Sequence, residues 1–297
     1  DGTSYLYAGL GNNSGTDSEV WRFNGTSWAK IGGDSTNSSG SSAGGYEAVT
    51  ALAVNGSTVW AGLGNNTAGD AEVWRCTSCN TSPDWGGARI GGDGVNSSWA
   101  NTTYELVASM TTIGGNPVVG LGLTAGDGEV WQCTTNCSSG TPVWTKRGGD
   151  GTASGGQSWA SAFEYVTGLA SDGNILYVGT GNTTNTDAEV WRCDISSSCS
   201  ATAGWTRIAS NATWTGGTHD QVWDITANGT TIYVGLGNTT NEDEVWRCTS
   251  CSTSPTWTKV GGDGVNSGWN ATHTQVQSVL VDGTTVYAGL SNASQAY

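Results

Sequence analysis

The tripeptide Glu-Val-Trp occurs five times along the 297 residues, at Glu19–Trp21, Glu72–Trp74, Glu129–Trp131, Glu189–Trp191 and Glu244–Trp246. The copies extend further in places, as in "GDAEVWRC" (Gly69–Cys76) and "TDAEVWRC" (Thr186–Cys193). A catalytic motif normally occurs once, so a motif written five times is a structural unit. Its spacing of 53 to 60 residues lies in the range of repeat architectures, slightly beyond the kelch period.

Each unit reads alike. An apolar run such as "EAVTALAV" (Glu47–Val54) leads through a turn to "VWAGLGN" (Val59–Asn65). A Gly/Asn/Asp loop, "AEVWRC" (Ala71–Cys76) and a second polar loop follow, before a run like "WTKV" (Trp257–Val260) closes on "GGDG". Short β-branched and aromatic runs bounded by turn formers are strands. No window sustains a helical period. The chain therefore reads as all-β, with four strands per repeat: A ("VTALAV"), B ("VYAGLG"), C ("EVWR") and D ("WTKV"). Four-stranded sheets repeated radially make a β-propeller, with A innermost. The small residues of B suit close approach of backbones.

These "YAGLG…DAEVW…WTKIGGDG" units resemble the kelch-like and sialidase-like β-propeller superfamily, over the whole chain. The resemblance implies the fold and almost nothing of function, because propellers host enzymes, lectins and scaffolds alike. Type B occurs six times, starting near Tyr5, Thr58, Pro117, Ile175, Thr231 and Thr285, whereas A, C and D occur five times each. The expectation is one propeller over residues 1–297, with five blades of about 56 residues. Six or seven blades, or a segment of a longer array, are the alternatives. The start "DGTSYLYAGLGN" (Asp1–Asn12) and the end "DGTTVYAGLSN" (Asp282–Asn292) are near duplicates that compete for one slot in the first blade. An open strand edge is a template for another chain. Self-association through the terminal strands, into a fibre or array, is the expectation.

Composition narrows the setting. The 16 Trp can build a core, and the net charge of -15 with ten Lys plus Arg argues against nucleic acid or an anionic membrane as partner. No apolar run approaches the roughly 20 residues that span a bilayer. The sequence opens without Met or a signal peptide, as a processed or partial segment would.

The eight cysteines form local pairs after strand C: Cys76/Cys79, Cys133/Cys137, Cys193/Cys199 and Cys248/Cys251. A structural zinc site needs four ligands, and the varying gap suits no zinc or redox motif. Disulfides within each hairpin, and an oxidising compartment, are expected. Acceptor patterns for N-linked glycans occur at Asn12, Asn24, Asn37, Asn55, Asn65, Asn80, Asn96, Asn101, Asn136, Asn182, Asn211, Asn228, Asn238, Asn270 and Asn292. A chain this rich in Asn, Ser and Thr would carry about five by chance under the N-x-[ST] rule. All fall in predicted loops, so covalent N-glycans on a secreted or cell-surface protein are expected.

Candidate chemistry is sparse. Glu19, Glu72, Glu129, Glu189 and Glu244 recur with their blades and face Lys30, Arg89, Lys146, Arg207 and Lys259 on strand D. Exposed cross-strand pairs of this kind stabilise a sheet modestly, so Glu72→Gln should cost no more than about 1 kcal/mol. His219 and His273 align with Tyr46, Tyr104 and Phe163 as aromatic-slot variants. Asp93, Asp150 and Asp263, in "GGDG" turns, could offer oxygens to calcium, yet no complete calcium loop is present; no cofactor is expected. No nucleophile or metalloprotease motif appears, and the chain is expected not to be an enzyme. Trp99, Trp159, Trp214 and Trp269 follow "NSSW", "GQSW", "NATW" and "NSGW" in D–A loops. They either stack sugars on one rim, as in a multivalent lectin, or fold back over the gap between blades. A structural or surface-display module is the preferred reading, a lectin the alternative, and a glycoside hydrolase a distant third.

Overall fold

The computed structural model describes residues 5–11, 18–33, 48–64, 71–86, 89–92, 94–99, 106–122, 128–149, 153–154, 157–159, 165–181, 188–196, 199–200, 204–214, 219–237, 243–262, 265, 269 and 273–291. Among the described residues the protein is all-β, with one short 3-10 turn at Val95–Ser97. The chain divides into two compact units, residues 1–124 with 129–147, and residues 125–128 with 148–297.

In the first unit β1 (Leu6–Leu10), β2 (Glu19–Phe23) and β3 (Trp28–Gly33) form a three-stranded sheet. A four-stranded sheet follows from β4 (Ala48–Asn55), β5 (Thr58–Gly64), β6 (Glu72–Cys76) and β7 (Arg89–Gly91). The next is β8 (Leu106–Ile113), β9 (Asn116–Gly122), β10 (Val130–Thr135) and β11 (Val143–Gly148), whose last residue belongs to the second unit.

The second unit opens with a small hairpin, β12 (Ala153–Ser154) and β13 (Gln157–Ser158). Two four-stranded sheets come next. The first holds β14 (Tyr165–Asp172), β15 (Ile175–Gly181), β16 (Glu189–Asp194) and β17 (Trp205–Ala209). The other holds β18 (Gln221–Asn228), β19 (Thr231–Gly237), β20 (Glu244–Thr249) and β21 (Thr256–Gly262). A hairpin of β22 (Gln275–Asp282) and β23 (Thr285–Ser291) follows. These strands are the A, B, C and D runs of the sequence, including six of type B.

Local chemistry explains the regularity. Each A–B hairpin closes on a two-residue turn, and Gly56, Gly173, Gly229 and Gly283 enter it with φ between +56° and +58°, a region that costs other residues strain. One glycine of each of the first five B strands faces the valine of Glu-Val-Trp: Gly9 with Val20, Gly62 with Val73, Gly120 with Val130, Gly179 with Val190, Gly235 with Val245. That glycine is needed because the next A strand presses on it. A Cβ on Gly62 would sit 2.6 Å from Val107, and one on Gly179 2.3 Å from Val222. Successive sheets therefore share apolar cores. One joins Val20 and Ile31 to Val59, Ala61 and Trp85; another joins Val190 and Ile208 to Val222, Val234 and Trp246.

Candidate functional site

The recurring glutamates come first, because carboxylates carry chemistry. Each reaches across from strand C to the base on strand D: Glu19 to Lys30 at 2.5 Å, Glu189 to Arg207 at 2.6 Å, and likewise Glu72 to Arg89, Glu129 to Lys146 and Glu244 to Lys259. The other oxygen accepts the indole N–H of the tryptophan two residues on, at 2.6 Å for Trp21, 3.0 Å for Trp74 and 2.6 Å for Trp246. The pairs are those expected, but their setting is not. Glu72 is only 1% exposed, enclosed by Trp74, Arg89 and the Gly92 backbone of its own repeat. The hydrogen bond from Lys30, then that from Trp21, holds the Glu19 carboxyl below the ordinary glutamate range.

Glu244 gains a further partner. His219 is fully buried and its Nε2 lies 3.1 Å from Glu244 Oε2. Burial alone would raise the Glu244 pKa, but hydrogen bonds from His219, Lys259 and Trp246 outweigh it and hold the group at about 2. His219 is thus more than a variant in an aromatic slot.

Asp224 was not singled out from sequence. It stands on strand A where other repeats carry Ala51, Ser109, Gly168 and Ser278. Burial pushes its pKa up to about 6, although the backbone N–H groups of Val279 and Ile225 donate to it and pull the other way. Through Val279 it ties β18 to β22. Comparing the repeats column by column would have exposed it as the one acid in that column.

The tryptophans join one repeat to the next. Trp85, on the segment leading into β7, lays its indole on Gly32 and donates to the Ile31 carbonyl at 2.7 Å. Trp144 does the same on Gly91 and Ile90 at 2.7 Å, and Trp257 donates to Ile208 at 2.9 Å. The D–A loop tryptophans back these plugs edge-on. Ring centroids are 5.3 Å apart for Trp99 and Trp144, 5.1 Å for Trp159 and Trp205, and 5.1 Å for Trp214 and Trp257. Trp99, Trp159 and Trp214 are therefore buried, with Trp99 donating to Ala71 and Trp214 to Ala188. A buried indole has no face to offer a sugar, so the lectin expectation at these three positions is corrected. The arginine of strand C adds a polar clasp on the next repeat's disulfide loop. Arg22 donates to the Cys79 carbonyl, Arg75 to those of Asn136, Cys137 and Gly140, and Arg192 to those of Cys251 and Thr253.

At the fifth repeat the same surface forms a cavity of about 290 Å³. Val260, Gly261, Trp269 and Arg247 line it together with Val286 and Ala288 of β23. Val260 and Gly261 stand where Ile31-Gly32 and Ile90-Gly91 receive a plug. Trp269 lies against Gly261 and is only half-buried. Arg247 occupies the clasp position, and its Nε is buried without a hydrogen-bond partner.

The cysteines form the four expected disulfides. Cα atoms are 5.8 Å apart for Cys76–Cys79, 5.9 Å for Cys133–Cys137, 5.5 Å for Cys193–Cys199 and 5.8 Å for Cys248–Cys251. All eight are buried. The backbone contacts beside the links differ at Cys199. The N–H groups of Cys79 and Cys251 donate to Ser57 and Thr230, in the A–B turn of their own repeats, at 2.8 and 3.4 Å. The N–H of Cys199 instead donates to the Asp194 carbonyl at 3.1 Å, and Ile195 takes over the bond to the A–B turn, at Asn174. The longer stretch between Cys193 and Cys199 is the cause, since it carries Cys199 past the turn that its counterparts reach.

Of the acceptor asparagines, Asn24, Asn55, Asn80, Asn96, Asn136, Asn211 and Asn228 are described. None of these is buried, and each lies in a turn or loop or, for Asn55 and Asn228, at the last residue of a strand. Asn12, Asn37, Asn65, Asn101, Asn182, Asn238, Asn270 and Asn292 lie outside the described residues, as do Asp93, Asp150 and Asp263. Among the described residues no cluster of three or more metal-ligating side chains occurs, and no helix is long and apolar enough to cross a membrane.

No protein-family model matches the chain, and no curated protein matches it. Solved structures do. Hydrazine synthase of Kuenenia stuttgartiensis aligns at a TM-score of 0.51 and 11% identity, over 84% of this chain and 61% of that one. The chain thus spans about three fifths of the length of that protein. A protein of Bacteroides fragilis, provisionally named a 6-phosphogluconolactonase, aligns at a TM-score of 0.47 and 14% identity, over 96% and 87% of the two chains. Both are propeller-like folds, and at these identities the likeness concerns fold alone. The expectation that the chain is not an enzyme is corrected here: a solved structure that shares its fold is named for an enzyme, the hydrazine synthase, so a fold of this kind gives no ground for excluding catalysis.

Proposed function

We propose that the protein is an N-glycosylated structural module of the β-propeller type, secreted or held at the cell surface, whose five blades are the repeats. The kelch-like and sialidase-like resemblance of its units belongs to this reading. What carries it is the placement of the acceptor asparagines. Four of the seven described ones, Asn24, Asn55, Asn136 and Asn228, are exposed, the amide nitrogens of the last three donating to the carbonyls of Gly115, Thr141 and Gly283. The side-chain oxygen of Asn24 accepts the N–H groups of Thr26 and Ser27 at 2.9 Å each. That leaves its amide nitrogen, the atom that bears a glycan, outside those bonds. The four disulfides fit the same oxidising compartment. The repeated Glu side chains support a structural role, since all five pair with the strand D base of their own sheet, and so do the clasps of Arg22, Arg75 and Arg192.

Glycopeptide mapping of the protein from its native source tests the reading. The expected result is hexose-containing modification on Asn24, Asn55, Asn136 and Asn228. Bare asparagine at all four would overturn it.

A further inference from the structure

We propose that folding closes Asn55, Asn136 and Asn228 to sugar transfer while leaving Asn24 open, so that the first three receive their glycans before the chain folds and Asn24 remains an acceptor afterwards. This sets the order of modification in the surface module proposed above and rests on that reading for the glycans themselves. The closure of the three side chains does not depend on it.

The chemistry sets what must be accessible. Transfer from a donor whose sugar is linked to a lipid pyrophosphate forms a bond from the anomeric carbon to Nδ2 of the asparagine. The bond from that carbon to the pyrophosphate oxygen breaks, and one of the two amide protons passes to a base. The nitrogen must therefore face the transferase, together with the hydroxyl residue two positions on that completes the acceptor pattern. An asparagine amide has two N–H donors, and one survives the reaction.

At Asn55 the fold holds the whole acceptor triplet. Asn55 ends β4 and pairs with Thr58 across a two-residue turn, which locks Asn55-Gly56-Ser57 into a hairpin. The Ser57 carbonyl accepts the N–H of Cys79 in the disulfide loop at 2.8 Å. Asn55 Nδ2 donates to the Gly115 carbonyl of the next repeat at 3.1 Å, and a Cβ on Gly115 would sit 2.6 Å from that nitrogen. Asn228 repeats the arrangement. It pairs with Thr231, the Thr230 carbonyl accepts the N–H of Cys251 at 3.4 Å, and Nδ2 donates to Gly283 at 2.8 Å. Asn136 is held from other directions. Its Nδ2 donates to the Thr141 carbonyl at 3.2 Å, its own carbonyl accepts from Arg75 at 3.3 Å, and its neighbour Cys137 is buried in the link to Cys133. Each of these contacts lies inside a single compact unit.

Asn24 is placed otherwise. Its triplet Asn24-Gly25-Thr26 lies in a hairpin without cysteine, and among the described residues its bonds run to Thr26 and Ser27 of the same loop. Those bonds use its carboxamide oxygen and its backbone, which a glycan on Nδ2 leaves alone. A Cβ on Gly25 would meet nothing within 4 Å. At the other three sites the N–H that survives transfer is enough for the bond each nitrogen makes, so a chain modified beforehand folds with those contacts kept.

Two complementary reactions test this, each read site by site by glycopeptide mapping. A chain that folds without sugar is given to a single-subunit oligosaccharyltransferase with a lipid-pyrophosphate-linked oligosaccharide, either folded or kept unfolded by reduction and alkylation. If the chain needs its sugar to fold, the native glycoprotein is treated instead with a peptide N-glycosidase, which hydrolyses the same side-chain amide, again folded or unfolded. In either reaction the folded chain should react at Asn24 at least about tenfold faster than at the other three, the factor that a local opening of roughly 1.4 kcal/mol imposes. Unfolding should bring all four sites to similar rates. Reaction of the folded chain at Asn55, Asn136 and Asn228 as fast as at Asn24 overturns the proposal. So does a lag at those three that persists in the unfolded chain, since it would then lie in the local sequence and not in the fold. A native protein bare at all four sites defeats the module reading, and the transferase reaction still decides the closure, so the two fail separately.

Discussion

At the scale of single residues, the buried carboxylates decide how the protein responds to mutation and pH. Glu72 accepts from Trp74 and Arg89 in a setting closed to water, where hydrogen bonds to a charged group are worth about 1.5–3 kcal/mol. Glu72→Gln should therefore destabilise by about 2 kcal/mol, more than the 1 kcal/mol fitting an exposed pair, as urea denaturation would show. Two other groups set opposing pH trends. Glu244 has its folded pKa lowered to about 2, so its contribution is present above its unfolded pKa and is lost as pH falls from about 5 towards 2. Asp224 has its folded pKa raised to about 6. Its ionisation weakens the fold, and that loss accrues as pH rises from about 4 through 6. Thermal melts should place maximum stability near pH 4–5. Asp224→Asn should flatten the alkaline side and Glu244→Gln the acid side.

At the scale of strands and hairpins, contrast between equivalent tryptophans is the sharpest check. Trp144 is buried against Gly91 and Trp99, so Trp144→Ala should cost about 3–5 kcal/mol in chemical denaturation. Trp28→Ala, at an exposed site of the same strand type, should cost under about 1 kcal/mol in the monomer. Non-reducing peptide mapping should find each cysteine bonded within its own hairpin. Breaking one link, as in Cys133→Ser with Cys137→Ser, should cost about 2 kcal/mol for so short a loop. Much of this scale was legible in the sequence. Strand starts, the Glu–base pairs and the local disulfides all follow from comparing one repeat with another, because each is settled inside a single sheet. What was not legible lies between sheets. Whether Trp99 points to solvent or into the gap depends on the neighbouring repeat, whose Trp144 packs against it. A local pattern of strands does not carry that. Asp224 and the separate bonding of Cys199 were missed for the opposite reason, since attention to what repeats passes over the positions that depart.

At the scale of the whole molecule, the protein puts its repeated chemistry into joining sheet to sheet and offers Asn-rich turns to the outside. The bare chain has a mass of 30.4 kDa and a net charge of -15. Neutral glycans would add mass without altering that charge, whereas a coat bearing acidic sugars would deepen it. The most direct test is the intact mass of the native protein, measured before and after enzymatic removal of N-glycans. The expected result is a mass several kilodaltons above 30.4 kDa that collapses towards that value on treatment. A native mass equal to that of the bare chain would contradict the glycosylated surface module outright.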